Sequence, residues 1–261
     1  MNFFAALLTM SVINFKIESM KKKVLSLALM ALVTLAQLRG EDVNTIVAQA
    51  RSHLAEDAVL DEVKTLEYAG VIFGGSGERL GTLRLRFKKP SFQRLDITYD
   101  DAAEVTAVNA YEGYVQNFDA DGNSLGLRVL TSDQVKQLQL NAHENLSFYL
   151  GPQTRRNAAI KYLATVEFEG KQAYKVRFAY ENELFYYDRY FDTANGKLLS
   201  TVSGANGYEL REKGSFVAGG IQFPKEVATY NDGNLVRRVV FDRIIVNAPM
   251  SDAIFDFPDR F

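Results

Sequence analysis

Apolar positions along this chain recur at two spacings, and the switch between them sets out its elements. Between Asp42 and Leu54, the residues Val43, Ile46, Val47, Ala50 and Leu54 fall on one stripe at helical spacing, with Asp42 placed to cap the first turn. The stripe predicts an amphipathic helix whose apolar side packs on a sheet. From Val63 onward the period drops to two. In "TLRLRF", Leu83, Leu85 and Phe87 share one face while Arg84 and Arg86 take the other; in "SFQRLDITY", Leu95, Ile97 and Tyr99 share a face.

Runs of this kind follow at about 8–12-residue spacing, the sequence form of an antiparallel meander. They predict strands over 66–73, 81–88, 91–99, 103–111, 113–118 and 125–130. Turn signals separate them at Gly74-Gly75-Ser76-Gly77, Pro90, Glu112-Gly113 and Asp119-Ala120-Asp121-Gly122. Thr131-Ser132-Asp133-Gln134 then reads as a capping box, and Val135, Leu138 and Leu146 suggest a broken helical stretch up to Gly151-Pro152. Strands are predicted again over 160–168, 173–180, 184–191, 197–202, 208–216, 222–230 and 235–246, with hairpin turns at Gly170-Lys171, Asn195-Gly196 and Asp232-Gly233.

The stretch "LFYYDRYF" places five aromatic rings within Leu184–Phe191. Alternation sends Leu184, Tyr186 and Tyr190 to one side and Phe185, Tyr187 and Phe191 to the other. A strand apolar on both faces has to be covered on both.

The N-terminal pattern belongs to neither period. Met20-Lys21-Lys22-Lys23 followed by the apolar run Val24–Ala36 has the form of a secretory signal peptide, and the run is too short for a membrane span. Met20 is then the expected start, residues 1–40 the extension and signal, and 41–261 one folded domain. Cysteine is absent, which excludes disulfides, cysteine metal ligands and a lipidated terminus. A soluble periplasmic protein is expected. Removing residues 1–40 takes away five basic residues and one acid, leaving 25 basic and 31 acidic, a net charge of −6. That acidic balance points away from nucleic acid.

Candidate catalytic patterns dissolve on inspection. Gly74–Gly77 is followed by Glu78, so no nucleophile elbow forms, and the glycine spacing up to Gly81 does not fit a dinucleotide loop. In "DADGNS" the glycine comes one position early for a calcium loop, and Leu130 stands where the closing glutamate is needed. His53 and His143 are the only histidines, and both are expected on the surface. No metal, cofactor or enzymatic activity is expected.

The order of elements, signal, helix, meander, helical interruption and meander, resembles the outer-membrane lipoprotein-sorting family of LolA-like periplasmic carriers. "LDEVKTLEYAGVI" at Leu60, "RFKKPSFQRLDITY" at Arg86 and "NAYEGYVQNFDADG" at Asn109 are similar to its early passages. "YDRYFDTANGKLLS" at Tyr187, "GGIQFPKEVATYNDGN" at Gly219 and "IIVNAPMSDAIFDFP" at Ile244 resemble its later strands and ending. The tryptophan often found in the family's central hairpin is absent here.

The resemblance implies a mainly β (α+β) fold: one curved antiparallel sheet, an incomplete barrel, with the N-terminal helix and mid-chain helical segment covering its concave face. It also implies a lipid-binding concavity, for which Leu95, Ile97, Tyr99, Phe178, Phe185 and Tyr187 are the candidates. The family's lid-locking arginine would be sought among Arg84, Arg86 and Arg94. Lipid or lipoprotein acyl chains are the implied cargo, inner- or outer-membrane sorting proteins the implied partners, and a monomer the implied state. The alternative is a non-catalytic envelope protein-interaction or sensing module on the same fold, its cavity filled by its own side chains.

Overall fold

The computed structural model describes residues 42–258; the signal and extension expected over 1–40 lie outside them. Asp42 accepts the Asn44 N–H at 3.1 Å and opens helix α1 (Val43–Leu54). The predicted stripe is the buried one: Ile46, Val47 and Ala50 turn inward. A second helix, α2 (Asp57–Asp61), went unread because five residues are too few to show a period; it buries Leu60.

The meander begins with β1 (Thr65–Gly74), β2 (Arg79–Lys88), β3 (Phe92–Thr98), β4 (Ala102–Val108), β5 (Gly113–Asp119) and β6 (Ser124–Val129). Helix α3 (Ser132–Ser147) interrupts it. It resumes with β7 (Ala159–Phe168), β8 (Lys171–Tyr180), β9 (Phe185–Asp192), β10 (Leu198–Ser203) and β11 (Glu209–Lys213). A small hairpin, β12 (Phe216–Ala218) and β13 (Ile221–Phe223), precedes the last pair, β14 (Glu226–Asn231) and β15 (Asn234–Val246).

Thirteen strands form one antiparallel sheet in the order β6-β5-β4-β3-β2-β1-β15-β14-β11-β10-β9-β8-β7. The long β15 joins the two halves by pairing with β1 on one side and β14 on the other. The sheet does not close, and β6 and β7 are its free edges.

Two predicted strands are each split. The run 208–216 breaks at Gly214, whose φ of 62° leaves the extended region. The run 222–230 breaks at Pro224, which has no N–H to give a ladder. The residues between become the β12–β13 hairpin, whose Ile221 and Phe223 join the core.

The helices lie on the concave face. α3 sets Val135, Leu138, Ala142 and Leu146 into the main core with Leu66, Tyr68, Leu83, Leu85, Leu95 and Ile97. α1 closes the other half over Val176, Phe178, Phe191 and Leu198. Each buried valine, leucine, isoleucine or phenylalanine among them contributes roughly 1.5–3 kcal/mol. On the opposite face the C-terminal segment lies across β2 to β5: Phe255 packs on Phe92, Phe257 on Tyr114, and Lys88 Nζ donates to Met250 O at 2.7 Å.

Candidate functional site

Five of the six candidate lipid-binding residues lie on the helical side, but they do not meet in one place. Leu95 and Ile97 are buried in the main core beneath α3. Phe178 is buried in the α1 cluster beside Tyr149 and Phe191, and Tyr187 packs with Leu140 and Tyr180, with half-buried Phe185 at its edge. Tyr99 follows the end of β3 and stays exposed. The concave face in this state is filled by the protein's own side chains.

Arg84, Arg86 and Arg94 stand on the face away from the helices, as their alternation with Leu83, Leu85, Phe87 and Leu95 requires. Arg84 pairs with Glu67 at 2.8 Å, and Arg86 and Arg94 both pair with Asp96. Arg94 Nη1 also donates to Ile254 O at 2.8 Å, which holds the C-terminal segment down.

The arginine that joins helices to one another is Arg51 of α1, which is itself buried. Its Nη1 donates to Ser147 O at 3.2 Å and Phe148 O at 3.0 Å, the last carbonyls of α3. Its Nε reaches Asp57 Oδ1 at 2.6 Å and its Nη2 reaches Asp61 Oδ1 at 2.8 Å, both on α2. A cation at the negative end of a helix is favourable, and here it satisfies carbonyls that the helix leaves open.

Next to this junction is a cleft of about 630 Å³, within the usual range for small-molecule sites. Leu60 and Asp61 of α2 form one wall, the Lys89-Pro90 turn between β2 and β3 another, and His143, Leu146 and Ser147 of α3 a third; Leu150 and Thr154 complete it. Leu60 and Leu146 are core residues, so the floor of the cleft is continuous with the core. The geometry follows from how α3 ends. Phe148 and Tyr149 take positive φ of 46° and 76°, and Gly151-Pro152 then turns the chain back across the helix.

His143, expected on the surface, stands in this wall. Its Nε2 lies 3.1 Å from both Gly151 O and Thr154 Oγ1. Burial lowers its pKa, overriding the opposing hydrogen bond to Gly151. Burial likewise lowers the pKa of Lys89, whose Nζ donates to the Asp61 carbonyl at 3.3 Å.

Deeper inside is a pair that the sequence reading missed. Arg189 and Glu144 are both fully buried, with Nη2 2.5 Å from Oε2. The contact is an ion pair rather than an aligned hydrogen bond. The rings of Phe178 and Tyr149 cover the guanidinium at 4.2 and 5.1 Å. Part of the signal was available: Arg189 has the same parity as Phe185, Tyr187 and Phe191, so alternation puts it on their face, but with aromatic residues on both faces the inward one is decided by packing. The other turns behaved as read. Gly74–Glu78 is a hairpin loop, and Asp119 accepts from the N–H groups of Asp121 and Asn123. Among the described residues no cluster of three His, Asp or Glu side chains is placed to hold a metal.

An open antiparallel sheet with helices on its concave face is the fold of lipoprotein-sorting domains. A putative outer-membrane lipoprotein-sorting domain from Vibrio parahaemolyticus aligns with a TM-score of 0.50 and 12% identity, over 82% of this chain and 97% of that one. A LolA superfamily protein from Nitrosomonas europaea (TM-score 0.49, 10% identity) and a DUF1329 family protein from Desulfovibrio piger (0.49, 11%) align over the same shares. No protein-family model and no curated protein sequence matches the chain, so the likeness is one of fold.

Proposed function

We propose that the protein is a non-catalytic periplasmic carrier or binder of lipid or lipoprotein acyl chains, and that the cleft between α2 and α3 is where the chain enters. The observation that carries this is the cleft itself: an apolar floor, continuous with the core, beneath a polar rim of Asp61, Lys89, His143 and Thr154. The lipoprotein-sorting fold supports the same reading. Burying one long acyl chain yields on the order of 10 kcal/mol, at about 0.8 kcal/mol per methylene. A carrier must also let go, so part of that gain has to be offset by displacing packed groups. The filled concave face and the Arg51 junction supply such groups. Sorting proteins of the inner or outer membrane are the partners this reading brings. Among the described residues no helix is long and apolar enough to cross a membrane.

Native mass spectrometry of protein purified from a periplasmic fraction without detergent tests the proposal. A bound mass that extracts as lipid or acylated peptide supports it. An apo mass with no uptake of labelled lipid removes it.

One further observation favours the alternative, an envelope interaction module. Every residue of edge strand β6 is exposed, including Leu125, Leu127 and Val129, beside an interior already filled. A free edge of this kind is suited to adding a strand from another chain. Crosslinking from position 125 or 127 in the native envelope, together with the lipid-uptake assay, separates the two: one defined partner and no lipid uptake is expected on this reading, lipid uptake on the carrier reading.

A further inference from the structure

Charged groups of both signs surround the cleft. Two acids act on its basic groups: Asp61, which shares the Arg51 guanidinium with Asp57, and Glu144, held by Arg189 at 2.5 Å. Three cations act there without such a partner. Lys89 lies in the wall, Lys64 acts on Lys89, and Arg155 acts on His143; none of the three forms an ion pair among the described residues. Lys89 donates only to a backbone carbonyl. The apolar part of the cleft is Leu60, Pro90, Leu146 and Leu150. An apolar floor with one ammonium at its rim that no side chain pairs directly matches a molecule with an apolar body and a negative end.

We propose that the cleft takes a long-chain fatty acid, with the alkyl chain along Leu60, Pro90, Leu146 and Leu150 and the carboxylate on Lys89. This rests on the reading of the cleft as an acyl-chain site and specifies its head group. A carboxylate suits it better than a phosphate for two reasons. The lining holds no arginine, whose planar fork is the better match to phosphate, and the Asp61 carboxylate beside Lys89 opposes a second negative charge. The ammonium of Lys89 is a compact point donor that one carboxylate satisfies.

Isothermal titration with palmitate, hexadecanol and hexadecyl phosphate, each below its micelle concentration, tests both layers. The wild-type protein is expected to bind palmitate about tenfold more tightly than hexadecanol, the scale of one charged hydrogen bond. In Lys89→Gln that preference disappears and the two bind alike. Thr154→Trp, at an exposed position on the rim, weakens both.

Equal wild-type affinity for palmitate and hexadecanol, with both lost in Thr154→Trp, overturns the fatty-acid assignment and leaves the acyl-chain site standing. A tighter hexadecyl phosphate overturns the carboxylate head in the same way. Binding of neither chain, or binding that Thr154→Trp does not touch, removes the site and the inference together. Should Thr154→Trp fail to fold, the palmitate-to-hexadecanol ratio in wild type and Lys89→Gln still decides the head group.

Discussion

Glu144 and Arg189 carry opposite charges in the interior, and neither has another charged partner there. Removing one member of such a pair leaves the other charge buried and uncompensated, at a cost of about 3–5 kcal/mol. Glu144→Leu is therefore expected to lose that much in urea unfolding. The double variant Glu144→Leu with Arg189→Met should recover most of it, because two apolar side chains leave no charge stranded. Gly151 lies against the same cluster: a Cβ there would fall 2.2 Å from the Tyr180 hydroxyl and 2.3 Å from Glu144 Oε1. Gly151→Ala should cost about 1–3 kcal/mol, the range for overpacking, read as a lower unfolding midpoint. At this scale alternation made legible which side chains share a face, not which face is inward. Which acid would meet Arg189 was not legible either, because 45 residues separate it from Glu144 and only the packing of α3 on the sheet brings them together.

At the scale of elements, α3 shows where pattern reading stops. Its start was legible: Thr131 Oγ1 accepts the Gln134 N–H while Gln134 Oε1 accepts the Thr131 N–H at 3.0 Å. Thr131→Ala should cost about 1 kcal/mol in thermal or urea unfolding. The helix looked broken because Asn141, Glu144 and Asn145 interrupt its apolar stripe. All three are buried and partnered instead; Asn141 Nδ2 donates to Gln93 Oε1 at 2.7 Å and Asn145 Nδ2 to Asn141 O at 2.7 Å. A polar residue with a partner across the core is invisible to a periodicity that counts apolar side chains. The Arg51 junction belongs to this scale too. Arg51→Gln removes the anchor of α2 and of the α3 terminus, so backbone amides of Ser132–Ser147 should exchange measurably faster by hydrogen–deuterium mass spectrometry, with those of β1 and β15 unchanged.

The whole molecule combines a sheet open at both ends with two histidines carried on the helices that cover it, His53 on α1 and His143 on α3. Burial lowers the pKa of both from the ordinary 6.5; Lys197 adds to this at His53, and Arg155 at His143. The unfolded chain then takes protons first as pH falls. Stability should be full above that value, decline as pH drops through it, and level off once the folded imidazoles protonate as well. Urea midpoints at about pH 7.5 and about pH 5.5 test this, and the double variant His53→Gln with His143→Gln should lose much of the difference.

The order and type of nearly all elements, which residues of a strand share a face, and the caps of α1 and α3 were determined by the sequence, because caps, turns and alternation act between residues close along the chain; the fold class was legible only through the family resemblance that this order carries. The tertiary structure alone decided what fills the concave face, which charges pair across it, and that a cleft opens between α2, α3 and the Lys89-Pro90 turn. Those are contacts between segments far apart in sequence, fixed by how helices seat on a curved sheet, and local spacing carries no record of them.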